Sequence, residues 1–193
     1  MSRPLDASAS EEDPDDVADL VRRVCEGERS ALAEVYDRHH RPLRTLGRRL
    51  LGAPEAAEDL VQDVFVNLPS SLRRFEGRAS LRSFLVAVTC NRSRHFVRAA
   101  ARYRRAKERF AEQARATAET PDASYARREM ADRLSRALDT LVHEQRVTFV
   151  LRVIEGRNTA EVARLTGVPE ATVRTRTMRA RTKLEASLEG GRR

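Results

Sequence analysis

The chain has 193 residues, of which 34% are charged and 5% aromatic, with no Trp and a formal net charge of +8. This length suits one or two small domains, and no apolar run approaches the roughly 18 residues that a membrane span needs, so we expect no membrane insertion. Cys25 and Cys90 form no CxxC motif, so we expect no disulfide framework, metal site or cofactor, and a cytoplasmic protein.

Charge is unevenly spread along the chain. Residues 1–16 are polar and acidic and contain Pro4 and Pro14, which predicts a disordered tail. The rest of the chain is correspondingly more basic, and a basic folded body indicates a polyanionic partner such as nucleic acid. The alternative explanation of this excess of basic residues is a GC-rich genome, which enriches arginine in every protein.

Apolar residues recur at three- and four-residue spacing from Val17 onward, a pattern that predicts helices. Gly27 and the "GAPE" of residues 52–55 separate successive helices, and the third begins near Pro54. Pro69 is expected to kink or end this third helix, and Ser80 to cap the next. One stripe of the third helix is expected to face a core: Ala57, Leu60, Val61, Val64 and Leu68.

Residues 105–124 contain few large apolar side chains and include Pro121, which predicts a flexible linker. The helical pattern resumes near residue 125 and continues to residue 189. No strand pattern and no internal repeat is visible. We therefore predict an all-α fold with two small helical domains, residues 17–104 and 125–189, joined by the linker.

A helix-turn-helix is predicted by "TAEVARLTGVPEATVRTRTM", residues 159–178. A short helix, 159–166, is followed by Gly167, which tolerates a turn, and by Pro169, which suits the start of a second helix. Two helices joined by a Gly-containing turn are typical of this DNA-binding unit.

The second helix of this pair divides into two faces on a helical wheel. Its core face is predicted to consist of Val173, Ala180 and Leu184, and its opposite face of Arg174, Thr175, Met178 and Arg179. Arg, Thr and Met can contact guanine, base edges and the thymine methyl group in a major groove. An ordinary solvated face is the alternative. Glu170 either complements the helix dipole or accepts a hydrogen bond from cytosine.

An acidic helix face stands out on this basic chain in "AAEDLVQDVF", residues 56–65. The face that opposes the apolar stripe presents Glu58, Asp59, Gln62 and Asp63. Such a face favours a basic protein partner, although a solvated surface helix is the alternative. We find no phosphate-binding loop and no nucleophile–base pair, so we expect no enzymatic activity.

Three segments resemble the extracytoplasmic-function (ECF) group of bacterial sigma-70-type RNA polymerase sigma factors. They are "AEDLVQDVF", "RFEGRASLRSFLVAVTCNRSR" and the C-terminal stretch from "ALDTLVHEQR" to "RTRTMRARTKL", and a fourth, "DLVRRVCEGERSALAEVYDRHH", resembles the opening segment of the family. The resemblance covers about residues 17–103 and 125–188, in order along the chain. It implies a protein that binds core RNA polymerase and promoter DNA, directs transcription initiation, and is held by an anti-sigma factor.

The resemblance also implies roles for individual residues. It places four residues at the coiled coil of the polymerase beta-prime subunit: Asp59, Leu60, Gln62 and Asp63. It places Asn91 and Arg94 at the −10 element, where Arg98 continues a basic helix face suited to phosphates. It places the face of Arg174, Thr175, Met178 and Arg179 at the −35 element.

Departures from the family pattern leave part of this assignment open. Glu76 and Arg78 reverse the usual charge order of their loop, and Phe84 stands where a Trp is frequent, so the −10 preference is not predicted. Two alternative functions are a stand-alone helix-turn-helix regulator and an interaction module that mimics a sigma domain.

Overall fold

The computed structural model describes residues 13–110 and 136–190. Every regular element within these ranges is helical, which confirms the predicted all-α class. No helix in the two ranges is both long and apolar enough to span a lipid bilayer. The predicted tail up to residue 12, the predicted linker from residue 111 and the predicted start of the second domain, 125–135, lie outside the described residues.

Five helices form the first unit: α1 (Pro14–Cys25), α2 (Arg29–Leu51), α3 (Pro54–Val66), α4 (Leu68–Leu72) and α5 (Leu81–Phe110). Helix α1 begins before the predicted boundary at residue 16, because Pro14 lies in its first turn and the Asp13 carboxylate accepts a hydrogen bond from Asp15 N at 3.0 Å. Proline is well suited to this position, where its missing N–H would have no helical partner. Helix α5 also runs past the predicted boundary at residue 104.

The second unit is built from shorter helices. Residues 136–139 are helical and precede α6 (His143–Phe149), a π-helical turn (Val150–Ile154), α7 (Thr159–Thr166) and α8 (Glu170–Gly190). A small apolar cluster joins the outer half of α8 to the start of the unit, and its buried members are Ala137, Leu138, Leu141, Phe149, Ala180 and Leu184. This cluster fixes the direction in which α8 leaves the core.

The apolar stripe of α3 lies in the core as predicted. All five residues of the predicted stripe are completely buried, although the last of them belongs to α4: Ala57, Leu60, Val61, Val64 and Leu68. Gly47 of α2 faces the stripe, and a Cβ built on it would lie 3.3 Å from the Cβ of Ala57. The missing side chain therefore lets α2 and α3 approach closely, and this contact leaves the acidic face of α3 pointing outward.

Pro69 ends the third helix, as predicted. Helix α3 stops at Val66, and a short helix, α4, begins at Leu68 with Pro69 in its first turn. Ser80 caps the long helix that follows, since its hydroxyl accepts a hydrogen bond from Ser83 N at 3.2 Å. Pro69 therefore interrupts the helix because it has no N–H to donate, and Ser80 begins the next helix because its hydroxyl accepts a free backbone N–H.

The two units share a hydrophobic core. A single cluster of buried apolar residues combines Leu46, Leu85 and Cys90 of the first unit with Leu151 and Val162 of the second. The prediction of two domains on a linker did not include this packing. Apolar side chains of both units are therefore removed from water by the same contact, which favours the docked arrangement.

Charged side chains also cross the boundary between the units. Arg146, 5% exposed, donates a hydrogen bond from Nε to the carbonyl of Arg49 at 2.6 Å. Arg49 lies in the last turn of α2, so a guanidinium from the second unit stabilises the negative end of that helix. Arg49 in turn donates to the carboxylate of Glu155, which is 6% exposed.

Candidate functional site

The helix-turn-helix is formed by α7 and α8. Asn158 and Glu161 make a capping box at the start of α7, with both reciprocal hydrogen bonds at 2.9 Å. The helix ends at Gly167, which adopts the left-handed conformation (φ 68°, ψ 28°) and donates its N–H to Ala163 O at 2.9 Å. A left-handed residue after a helix favours glycine, so the predicted turn is confirmed together with its cause.

Helix α8 presents the two faces that the helical wheel predicts. Val173 and Ala180 are completely buried and Leu184 is 5% exposed. The opposite face is exposed along its length, and its members are Arg174, Thr175, Met178 and Arg179. Met178 leaves 62% of its surface in solvent, which is unusual for a large apolar side chain. The buried face thus holds the exposed face in a fixed orientation.

Local contacts order part of this exposed face. The Thr175 hydroxyl donates to Ala171 O at 3.0 Å, and Arg174 forms an ion pair with Glu170 at 3.3 Å, one helical turn away. Both partners of the pair are largely exposed, so its net stabilisation is at most about 0.5 kcal/mol. Glu170 therefore orients Arg174 in the free protein without preventing another anion from replacing it.

The acidic face of α3 is exposed, but its charges differ in their surroundings. Asp59 is exposed and makes no ion pair within the described residues, and the neutral Gln62 is also exposed. Glu58 pairs with Arg44 of α2 at 3.0 Å. Asp63 is half-buried and accepts a hydrogen bond from Arg92 of α5 at 2.7 Å.

Leu60 lies beneath the acidic face of α3. The sequence resemblance placed it among the residues that contact the polymerase, and in the free protein its side chain has no exposed surface. Burying a leucine stabilises a fold by about 2 kcal/mol, so direct contact with a partner would require α3 to move out of the core.

The residues assigned to the −10 element lie on α5. Asn91 and Arg98 are exposed, whereas Arg94 is half-buried. Arg94 donates from Nη2 to the carbonyl of Thr166 at 3.3 Å, and its Nη1 lies 3.4 Å from Asn91 Oδ1. Thr166 is the last residue of α7, so the second unit occupies one of the donors of Arg94.

An open groove lies beside Asn91, and the sequence analysis missed most of its lining. Its walls include Arg74, Phe84, Arg92 and His95. Phe84 is held by an edge-on contact with Phe75, at 5.3 Å between ring centroids. The four-residue spacing of Phe84, Val88 and Arg92 on α5 was a visible signal of this wall. A groove with cationic and aromatic walls suits an unstacked nucleotide.

Histidine and cysteine residues have packing roles in the described part of the chain. No group of three or more potential metal-ligating side chains is found there. His40 stacks on Tyr36, with 4.6 Å between ring centroids, and His39 is buried. Burial raises the pKa of the Cys90 thiol to about 12, so this cysteine is a protonated, apolar core residue as expected.

Comparisons with known proteins agree with this architecture. A family model described as Sigma-70 region 2 matches residues 35–103, and one described as Sigma-70, region 4 matches residues 131–184. The ECF RNA polymerase sigma factor SigM of Mycobacterium tuberculosis is 33% identical over 172 residues, which cover 86% of this chain and 82% of that protein.

Two solved structures resemble the fold over most of its length. CnrH, in a complex with the cytosolic domain of CnrY, is 25% identical with a TM-score of 0.63, covering 92% of this chain and 99% of that chain. The sigma factor RpoE of Bartonella quintana, in a complex with the anti-sigma factor NepR, is 26% identical with a TM-score of 0.60, covering 77% and 90%.

The matches to Sigma-70 region 2 and region 4, one in each helical unit, define a transcription initiation protein. The chain belongs to the ECF group of sigma-70-type RNA polymerase sigma factors.

Proposed function

We propose that this sigma factor docks on the beta-prime subunit of core RNA polymerase through α3, contacts the −10 element with α5, and recognises the −35 element with α8, acting in the cytoplasm. The observation that carries the proposal is the face of α8. Its four exposed residues have the chemistry for base and phosphate contacts, and three buried residues fix their direction.

At the −35 element, Arg174 and Arg179 supply donors for guanine or phosphate, and Met178 supplies an apolar contact. Arg174 must exchange Glu170 for DNA, which costs little because that ion pair is exposed. Thr175 keeps its hydroxyl bonded to the backbone of its own helix and still offers its oxygen as an acceptor.

At the −10 element, Asn91 lies on an exposed surface and Arg98 continues it toward the end of α5. Arg94 becomes fully available only when it releases the Thr166 carbonyl. The Nε of Arg94 is buried without a hydrogen-bond partner among the described residues, so its guanidinium is incompletely satisfied in this arrangement. Contact with DNA would satisfy it.

At the polymerase, the exposed Asp59 and Gln62 and the half-buried Asp63 form one outward face, with Leu60 beneath them. Acidic side chains on a protein of net charge +8 favour the approach of a basic partner surface to this face. We also propose an anti-sigma partner, because the similar RpoE structure contains one.

Transcription from purified components tests the proposal. The full chain, mixed with core polymerase and promoter DNA, should produce a promoter-specific transcript above core polymerase alone. Replacing both Asp59 and Asp63 by Lys should abolish polymerase binding, measured by fluorescence anisotropy of labelled protein, while binding of duplex −35 DNA persists.

The control is Asp37→Lys, at an exposed acid of α2 that does not belong to the proposed face. Polymerase affinity that the double variant leaves unchanged would contradict the docking assignment. Promoter-specific DNA binding without any polymerase affinity would instead support a stand-alone helix-turn-helix regulator.

A further inference from the structure

We propose that Arg92 is a further nucleic-acid-contacting residue, which Asp63 holds away from the strand in the free protein and releases when the polymerase engages Asp63. The inference rests on the proposed function, because it joins the polymerase-docking face to the −10 groove. It assigns to Arg92 a role that neither the helical periodicity nor the family resemblance gave it.

The structural basis is an ion pair between two helices with different tasks. Nη1 of Arg92 on α5 donates to Oδ2 of Asp63 on α3 at 2.7 Å, and both side chains keep about a third of their surface exposed, 31% and 33%. Asp63 is therefore reachable from the outer face of α3, where Asp59 lies one turn earlier. A cation of a docking partner can approach the same carboxylate.

Arg92 also belongs to the groove beside Asn91, together with Arg74, Phe84 and His95. Arg74 and Arg92 can contact a phosphate, and Phe84 offers a ring on which a base can stack. The Asp63 carboxylate neutralises Arg92 at one edge of this groove. Releasing Arg92 thus adds one full positive charge and a planar set of donors to a site suited to single-stranded DNA.

A second contact keeps Asp63 in place when Arg92 leaves. Its other oxygen, Oδ1, accepts a hydrogen bond from Nδ2 of Asn67 at 3.1 Å. Asn67 is the residue that caps the C-terminus of α3, so the carboxylate stays oriented by its own helix. A partner's cation can replace Arg92 without Asp63 losing its geometry.

The first experiment uses the free full-length protein and a short fluorescein-labelled single-stranded oligonucleotide, with affinity measured by fluorescence anisotropy at low salt. Asp63→Asn removes the charge that holds Arg92, so it should tighten binding by about fivefold, the factor that corresponds to freeing one partly exposed ion-pair partner. Adding Arg92→Ala to this variant should remove the gain in affinity. Arg92→Ala alone should weaken oligonucleotide binding by less than it does in the Asp63→Asn background.

The matched control is Asp59→Asn, which changes the same charge on the same helix face but frees no cation. It measures the general effect of removing one negative charge. Equal tightening by Asp59→Asn and Asp63→Asn would overturn the proposal, as would a gain that survives in the Asp63→Asn, Arg92→Ala double variant. Circular dichroism melting of each variant checks that the fold is intact.

The second experiment adds core polymerase. Arg92→Ala should weaken binding of the same oligonucleotide by about fivefold when polymerase is bound, and by clearly less in the free protein. Equal effects with and without polymerase would show that docking does not release Arg92. Failure of the wild-type protein to bind polymerase would instead refute the docking assignment, and the free-protein cycle would still decide whether Asp63 restrains Arg92.

Discussion

Replacing Arg49 by alanine tests whether the second unit depends on α2 for the charge balance of Glu155. Glu155 is 6% exposed and Arg49 is 27% exposed, so the carboxylate has little access to water once its cation is removed. Breaking a buried ion pair costs about 3–5 kcal/mol, and the partial exposure of Arg49 places this case near 3 kcal/mol. The loss should appear in the free energy of unfolding from urea titrations followed by circular dichroism.

The control is Arg48→Ala, which removes an exposed arginine from the same helical turn and should cost less than about 0.5 kcal/mol. The double variant Arg49→Met, Glu155→Leu should recover most of the loss, because neither charge is then buried alone. If Arg49→Ala and Arg48→Ala have equal stability, Glu155 does not depend on Arg49 and the reasoning fails.

Three further predictions concern the core and the boundary between the units. Leu60→Ala should reduce stability by about 2–5 kcal/mol in urea unfolding; a loss of polymerase binding at unchanged stability would show that Leu60 is a contact residue after all. Burial lowers the pKa of His143 from 6.5 to about 4, so the unfolded chain binds its proton first and stability should fall by up to about 3 kcal/mol from pH 6.5 to pH 4; a His143→Gln variant with the same decline would refute this. Gly52→Ala should lower the free energy of unfolding by about 1–2 kcal/mol, because φ is +83° and the Asp139 carboxylate must move away from the new Cβ; an unchanged free energy of unfolding in urea would contradict it.

Local sequence signals predicted the helix-turn-helix and the third helix well. Gly167 and the wheel of α8 depend only on neighbouring residues, and so does the apolar stripe of α3. Leu60 was assigned both to that stripe and to the polymerase contact, and only the stripe can be checked in the free protein. The burial of Leu60 confirms its place in the stripe, because periodicity reports directly on which helix face leaves water.

Contacts between distant residues could not be predicted from the sequence. Asp63 and Arg92 are 29 residues apart, and Arg146 bonds the Arg49 carbonyl 97 residues earlier. Each arginine had many alternative acceptors along the chain, and only the packed arrangement selects one. The start of α1 was missed for a different reason. Pro14 was placed in the predicted disordered tail, although Asp13 before it can cap a helix whose first turn contains Pro14.

The hydrogen bond from Arg146 to α2 can form only late in the synthesis of the chain. The last turn of α2 receives its guanidinium partner from a residue 97 positions later. At a bacterial rate of about 5–20 residues per second, that turn waits on the order of 5–20 seconds on the ribosome before Arg146 is made. The Arg49 carbonyl therefore lacks this partner in the nascent chain until Arg146 has been made, which occurs before the two helices of the helix-turn-helix are synthesised.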